Sequence, residues 1–478
     1  MKLREIIDNI DCSMEYSNEI LDYDIENLSI DANNCKNSVF FLLRENEDKV
    51  KLCIENGAKV IVSVVPIPTI ACIVVTEIRK VMSSMSANFY NNSHKKLKII
   101  GVVGTNGKTT TTCVLGQILR KANKKCAILG TLGVDYGDEK IETNLTTPDP
   151  IELHKIFFEA VKRNEEYVIM EVSAHAIFWQ KMYGIQLYAL IFTNISQDHL
   201  DFFGNMQNYS DTKLNYINSN NTKLAIINAD SEHANKFRND KSINKVFYGL
   251  NNPSDVFAVD ICYKNGKSCY VINAFDDIFE INVPLLGEYN VYNVLGAVSC
   301  AFMMGIDKDS IIEALDNLEE IDGRYNILRS DILVIIDYAH TPDGLKVLLE
   351  SVKAFAEGDI ISVFGCGGDR DKAKRPIMGE IAAKLSDYCV ITSDNPRTEN
   401  PVDIVESIED GYKKISDNYI LIVDRKKAIQ YAIKKANKGD VVVIAGKGTE
   451  PYIDIGGKKI PYSDKKVTID ALRRYRIE

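Results

Sequence analysis

The sequence predicts an α/β protein of three units: a small N-terminal α/β unit, a central unit with a mostly parallel sheet, and a C-terminal doubly wound unit. Three observations lead there. Short β-branched runs alternate with helical patterns over residues 98–327 and again from 328, and such alternation gives parallel sheets covered by helices on both faces. A glycine-rich turn, Gly104-Thr105-Asn106-Gly107-Lys108-Thr109-Thr110, separates an apolar run from a helical pattern. The length of 478 residues exceeds one ordinary core and suits about three at ~150 residues each.

Within 1–97, residues 39–43 and 60–65 read as strands, 47–56 as a helix closed by Asn56-Gly57, and 76–90 as a second helix. The polar stretch 91–96 reads as a linker. The central unit opens on the strand 98–103 and continues with a helix over 109–121, a strand at 126–129 and a helix after Pro150. Strands at 167–170 and 187–193, a helix from Tyr209 and a strand at 224–227 follow. In 328–478 the strands are 332–336, 360–364, 388–392, 420–423 and 441–445, with amphipathic helices between them. Ligands in open parallel sheets sit at the carboxyl ends of strands. The central turn, Glu171 and Asn194 fall there, as do Asp337, Gly365, Asp394 and Gly446 in the last unit.

Hydrophobic residues at 45% and charged residues at 26% fit a globular protein. No apolar run nears the ~20 residues of a bilayer span, and the N-terminus lacks a signal peptide's apolar core, so a cytoplasmic protein is expected. Eleven cysteines stand singly, without a C-x-x-C pair, and read as reduced, mostly buried small hydrophobes. A net charge of −10 argues against a nucleic-acid partner. No membrane partner is expected either.

The turn carries the first chemistry. Glycines bring backbone N–H groups within reach of phosphate oxygens, Lys108 supplies a point charge, and the Thr109 hydroxyl can ligate Mg²⁺. Val102 stands where the usual P-loop has its first glycine, leaving the shorter G-x-x-G-K-T form. The central unit therefore reads as a P-loop, ATPase-like domain, against the plainer reading of a ligand-free turn. Glu171 ends a strand and His199 follows the next one, so with Thr109 they could hold Mg²⁺. The plainer reading has His199 capping a turn.

Further stretches carry a resemblance: Thr146-Thr147-Pro148-Asp149, Met170-Glu171-Val172-Ser173-Ala174-His175, Asp198-His199-Leu200-Asp201, Asn290 with Asn293, Gly323-Arg324, Asp337-Tyr338-Ala339-His340, Gly365-Cys366-Gly367-Gly368-Asp369-Arg370 and Asp394-Asn395-Pro396-Arg397. With the turn, they make residues 98–478 similar to the Mur ligases, and within them to the diaminopimelate-adding branch. The resemblance implies ATP-dependent amide formation through an acyl phosphate, in peptidoglycan synthesis. The substrates implied are a UDP-muramoyl dipeptide, bound by the N-terminal unit, and meso-diaminopimelate, bound by the C-terminal unit; a monomer is expected. ATP and Mg²⁺ are the implied cofactors. Lys213, in Tyr209-Ser210-Asp211-Thr212-Lys213, is the implied carbamylated lysine and metal ligand, where most lysines are merely solvated. Residues 104–110, Asn290, Asn293, Arg324, Asp337 and His340 are implied ATP contacts, with Asn290 and Asn293 near the adenine, on the side opposite the phosphate loop. Thr146, Thr147, Ser173 and Lys181 are implied contacts of the UDP-muramoyl substrate. For the acceptor the implied contacts are Arg370, Asp394, Asn395, Arg397, Gly446 and Glu450, with Arg397 forking onto a carboxylate unless it is only a surface residue.

Several positions depart from the family pattern. An Asp-Ser-Arg is replaced by Asp31-Ala32-Asn33, a Gly-rich stretch by Leu43-Arg44-Glu45-Asn46, an arginine by Lys181, a histidine by Thr449 and an acidic residue by Asn326. Thr212 replaces the alanine before Lys213. These departures leave room for a paralogue joining L-lysine or acting on another carboxylate. A non-catalytic nucleotide-binding regulator would show decay in Lys108, Glu171, His199 and Lys213, and none is seen. A P-loop motor would need a strand-terminal Asp beside the loop.

Overall fold

The computed structural model describes residues 1–264 and 266–476. The first sheet has five strands, in the order Met14–Glu15, Cys72–Val75, Val60–Ser63, Ser38–Phe41, Asn27–Ser29. All pair in parallel except the first, which is antiparallel. Alternation along Ser38–Phe41 sends Val39 and Phe41 to one core, with Val81, Met82 and Met85 of the helix Ile78–Phe89. Phe40 and Leu42 face the other way, toward Cys53 of the helix Glu47–Glu55. The polar stretch 91–96 is not a loose linker: Ser93–Lys96 forms a 3₁₀ turn in which Ser93 and His94 are buried. Polarity was the misleading signal, because these polar groups face protein.

The second sheet has eleven strands. Its centre is Lys98–Val103, flanked in parallel by Tyr167–Val172 and Ala189–Phe192. Ile100 and Val102 pack against the helices Lys108–Lys121 and Glu288–Met303, while Ile99 and Val103 pack against Pro150–Lys162. The helix read from Tyr209 runs Met206–Tyr216, begun by Asn205, whose side chain accepts from Asn208 N. Strand–helix alternation fails over the last third of this unit. Val256–Lys264, Lys267–Ala274 and Asp277–Val283 form an antiparallel meander on the sheet edge. Its signature was period two: Ser268, Tyr270, Ile272 and Ala274 are buried and the residues between them are half-exposed.

The third sheet has six strands, in the order Asn326–Arg329, Leu333–Asp337, Val441–Ala445, Ile360–Phe364, Tyr388–Ile391, Tyr419–Leu421. Asn326–Arg329 pairs antiparallel with Leu333–Asp337, so this sheet begins two residues before the start at 328 expected from sequence. The other strands are parallel. Leu345, Met378 and Ile404 cover one face, and Ile429, Ile433 and Leu472 the other. Among the described residues no helix is long and apolar enough to cross a membrane.

Candidate active site

The phosphate loop sits where the central strand ends and the helix Lys108–Lys121 begins, so the helix dipole and its free N–H groups point into the loop. Two glycines are obligatory. Gly107 has φ +83°, and a Cβ there would lie 2.2 Å from Asn293 Oδ1; a Cβ on Gly104 would lie 1.9 Å from Thr193 Oγ1. The neighbouring strand end pins the loop: Thr105 N donates to Asn194 O at 2.8 Å, Asn106 N to Asn194 Oδ1 at 2.9 Å, and Thr193 Oγ1 to Asn106 O at 2.7 Å.

Lys108 Nζ folds back onto the carbonyls of Gly104 (3.0 Å) and Thr105 (2.7 Å). Desolvation lowers its pKa, with Glu171 and Asp198 opposing. Thr109 Oγ1 donates to Glu171 Oε1 at 2.9 Å, and Thr131 N donates to the same oxygen at 2.8 Å. Thr110 is buried in the first helical turn. Thr131 was not foreseen, since it stands in a loop with no motif.

His199 has φ +54° and stands at the start of the short helix Leu200–Phe203, but its side chain makes no capping hydrogen bond, against the turn-cap reading. Its Nε2 lies 3.4 Å from Asp198 Oδ2. Burial pushes its pKa down to about 4 despite Asp198, so the ring is neutral near pH 7. Lys213 is only 1% exposed, which overturns the solvated-lysine reading. Its Nζ donates to Thr105 Oγ1 at 3.2 Å, shares a short hydrogen bond with the Tyr209 hydroxyl and lies over that ring. Burial lowers its pKa strongly, and the nearby Lys108 charge adds to this. The four expected metal ligands thus fall into a direct Thr109–Glu171 contact, His199 beside Asp198, and Lys213 behind the loop at Thr105.

The third sheet reaches this loop. Arg324 Nη2 donates to Thr109 Oγ1 at 2.9 Å, with its guanidinium 4.4 Å over the Tyr338 ring, and Asn106 Nδ2 donates to Asp343 Oδ2 at 3.0 Å. Asp337 accepts from Tyr325 N and Ala339 N, and desolvation raises its pKa. His340 Nδ1 lies 2.9 Å from the Tyr338 carbonyl. Asn293 Nδ2 donates to Asn290 Oδ1 at 3.1 Å. These two asparagines do not face the loop from the opposite side. The helix Glu288–Met303 packs beside Lys108–Lys121 and sets Asn293 directly against Gly107.

A second group leads away from Glu171. Thr147 Oγ1 donates to the Glu171 carbonyl at 2.9 Å and accepts from Ser173 N at 3.1 Å. Lys181 Nζ donates to Thr147 O at 3.1 Å and pairs with Asp149 at 3.1 Å. The hydroxyls of Thr131 and Thr146 are 3.2 Å apart.

The third group gathers at strand ends of the last sheet. Arg397 is half-buried, and its Nη1 donates to Gly368 O at 2.6 Å, so the surface-turn reading fails. A Cβ on Gly367 would lie 2.8 Å from Arg397 Nη1 and 3.8 Å from Arg370 Cγ, so both arginines flank this glycine. Arg370 is exposed and donates to its neighbour's carbonyl. Asn395 Nδ2 donates to Glu450 Oε2 at 2.7 Å. A Cβ on Gly446 would meet Asp394 Oδ2 at 2.8 Å. Sequence reasoning missed Lys447: it is fully buried and donates to Asn395 Oδ1 at 2.9 Å and Glu450 Oε2 at 2.7 Å. Its signal was a Gly-Lys-Gly directly after the strand Val441–Ala445. Asn326, where an acid was expected, donates to Ile321 O and accepts from Gly323 N, so it holds the turn before Arg324.

A phosphate loop at the end of a parallel strand, met by Arg324 from the turn leading into the last sheet, defines a site built to hold a nucleotide's phosphates. Residues 102–301 match the Mur ligase middle domain and 323–448 the Mur ligase glutamate ligase domain. The chain is 40% identical to UDP-N-acetylmuramoyl-L-alanyl-D-glutamate–2,6-diaminopimelate ligase 1 of Clostridium acetobutylicum, over 99% of each protein. It is 37% identical to the corresponding ligase of Clostridium botulinum, over 99% of this chain and 100% of the relative. A solved structure of a UDP-N-acetylmuramoyl-L-alanyl-D-glutamate–2,6-diaminopimelate ligase superposes with a TM-score of 0.69 at 28% identity, over 99% of each chain. The chain belongs to the Mur ligase family.

Proposed function

We propose that the protein joins meso-diaminopimelate to the D-glutamyl carboxylate of UDP-N-acetylmuramoyl-L-alanyl-D-glutamate, with ATP hydrolysed to ADP and phosphate, in peptidoglycan synthesis. The observation that carries this reading is the pair Arg397 and Arg370 flanking Gly367, close to Asn395, Lys447 and Glu450. Two arginines and the half-buried Glu450 carboxylate suit an acceptor that carries both a second carboxylate and a second ammonium. The reading assigns the UDP end to the unit 1–97, ATP to 98–327 and the acceptor to the remainder. It also takes the protein as a cytoplasmic monomer.

The D-glutamyl carboxylate attacks the γ-phosphorus, and the acceptor amine then attacks the acyl phosphate and displaces phosphate. Three anionic groups must converge, so positioning and charge supply most of the rate. Loop N–H groups and Lys108, once it leaves the Gly104 and Thr105 carbonyls, would hold the β- and γ-phosphates. Arg324 brings a second positive charge from the turn that leads into the last sheet. Mg²⁺ would withdraw charge from the phosphate oxygens, and the Thr109–Glu171 pair offers the hard oxygen ligands it requires, with His199 and Lys213 as further candidates. Lys213 fits carbamylation: desolvation and then the Lys108 charge lower the pKa of this buried amine, which favours its attack on CO₂, and the resulting anion would sit next to that cation.

With ATP, Mg²⁺ and the UDP-muramoyl dipeptide, phosphate release is expected to depend on added meso-diaminopimelate. Release with L-lysine and not with meso-diaminopimelate would overturn the acceptor assignment.

A further inference from the structure

Where the first and second sheets meet lies a cationic group that the ligation chemistry leaves unused. Arg79, in the first turn of the helix Ile78–Phe89, lays its guanidinium over the indole of Trp179, 4.1 Å from the ring centroid. The helix is fixed there: Ser83 Oγ donates to the Tyr183 carbonyl at 2.9 Å. Arg79 is half-buried, and among the described residues its side chain forms no hydrogen bond and no ion pair. Burial lowers its pKa, Asp149 opposes this and Arg44 adds to it. Asp149 is already paired with Lys181 at 3.1 Å.

We propose that Arg79, braced on Trp179, grips the diphosphate of the UDP-bearing substrate. This rests on the ligase reading above. Stacking on an aromatic face leaves the in-plane N–H donors of a guanidinium free for oxygen anions. Position supports the assignment as well. An unbroken line of contacts runs from Thr109 through Glu171, Thr147 and Lys181 to Asp149. An elongated substrate whose dipeptide carboxylate lies at the phosphate loop would carry its diphosphate to this end. The altered segment Asp31-Ala32-Asn33 offers no cation: Asp31 Oδ1 accepts from Asn33 N and Nδ2, and Ala32 is buried. Arg44 belongs to the other altered stretch.

Trp179 is the one tryptophan of the chain, so its fluorescence reports on this place. Titration of the wild-type protein with UDP is expected to change the emission, and titration with uridine to leave it unchanged. In Arg79→Gln the KM for the UDP-muramoyl dipeptide should rise about 10- to 100-fold. The kcat and the KM values for ATP and amino acid should hold within about twofold, which also shows that the variant is folded. Arg79→Lys keeps the charge without the fork and should fall between. An unchanged KM in Arg79→Gln, or emission insensitive to UDP, overturns the proposal. If the wild-type protein turns over no UDP-muramoyl dipeptide, the ligase reading fails, and the UDP titration still decides the anion site.

Discussion

At the scale of single residues the account rests on side chains whose environments leave them little choice. Gly107 combines φ +83° with a Cβ position 2.2 Å from Asn293 Oδ1. Gly107→Ala is therefore expected to cost about 1–2 kcal/mol in backbone strain alone and to raise the KM for ATP at least about tenfold, as read by initial rates. Lys213 makes a sharper case. If its buried amine is carbamylated for catalysis, Lys213→Ala should lower kcat by about 10² to 10³ while the unfolding midpoint holds. Labelled bicarbonate should mark the wild-type protein and not the variant. Full ligase activity in Lys213→Ala would remove Lys213 from the catalytic groups, and absence of turnover in the wild type as well would favour the non-catalytic regulator. The phosphate loop, Glu171 and Arg397 were legible because each sits in an ordered motif at a strand end. Lys447 and Thr131 were not, because a lone lysine or threonine reveals its burial only once the chain is folded.

Secondary-structure elements explain which parts of the fold could be read. Parallel strands buried on both faces, such as Val441–Ala445 and Ile360–Phe364, announce themselves as unbroken apolar runs. The meander Val256–Val283 shows only alternation and escaped notice. The stretch 91–96 escaped for a different reason. His94 packs edge-on against His154 of the helix Pro150–Lys162, with ring centroids 5.1 Å apart, and His94 Nδ1 and His154 Nε2 have no partner among the described residues. Burial pushes His94 down to about 4 and His154, with the His94 charge adding to it, down to about 3. Both rings are neutral in the fold, whereas the unfolded chain takes up protons near about 6.5. The unfolded state therefore binds more protons below that pH, and stability falls as pH drops from about 6.5 toward about 4. Denaturant unfolding at about pH 7 and about pH 5 should show a loss on the order of 1–3 kcal/mol, reduced in His154→Phe. An equal loss in the variant would assign the effect to other groups.

For the whole molecule, chemistry depends on elements of separate sheets meeting at one loop. Arg324, in the turn leading into the last sheet, touches Thr109, and Asp343 of the last unit touches Asn106, so the acceptor side and the phosphate side are already joined by direct contacts. The order of sheets and the two doubly wound units followed from strand–helix alternation. The inter-unit contacts did not, since residues 106 and 343 are linked by nothing in the sequence but the completed fold.

If the arginines at Gly367 choose the acceptor, kcat/KM for meso-diaminopimelate against L-lysine, in the wild-type protein and in Arg397→Lys, will show it. A strong preference for meso-diaminopimelate is expected in the wild type. In Arg397→Lys that preference should fall about 10- to 100-fold through KM, with ATP kinetics unchanged. Equal use of both amino acids by the wild type, or an Arg397→Lys variant with undiminished preference, would contradict it.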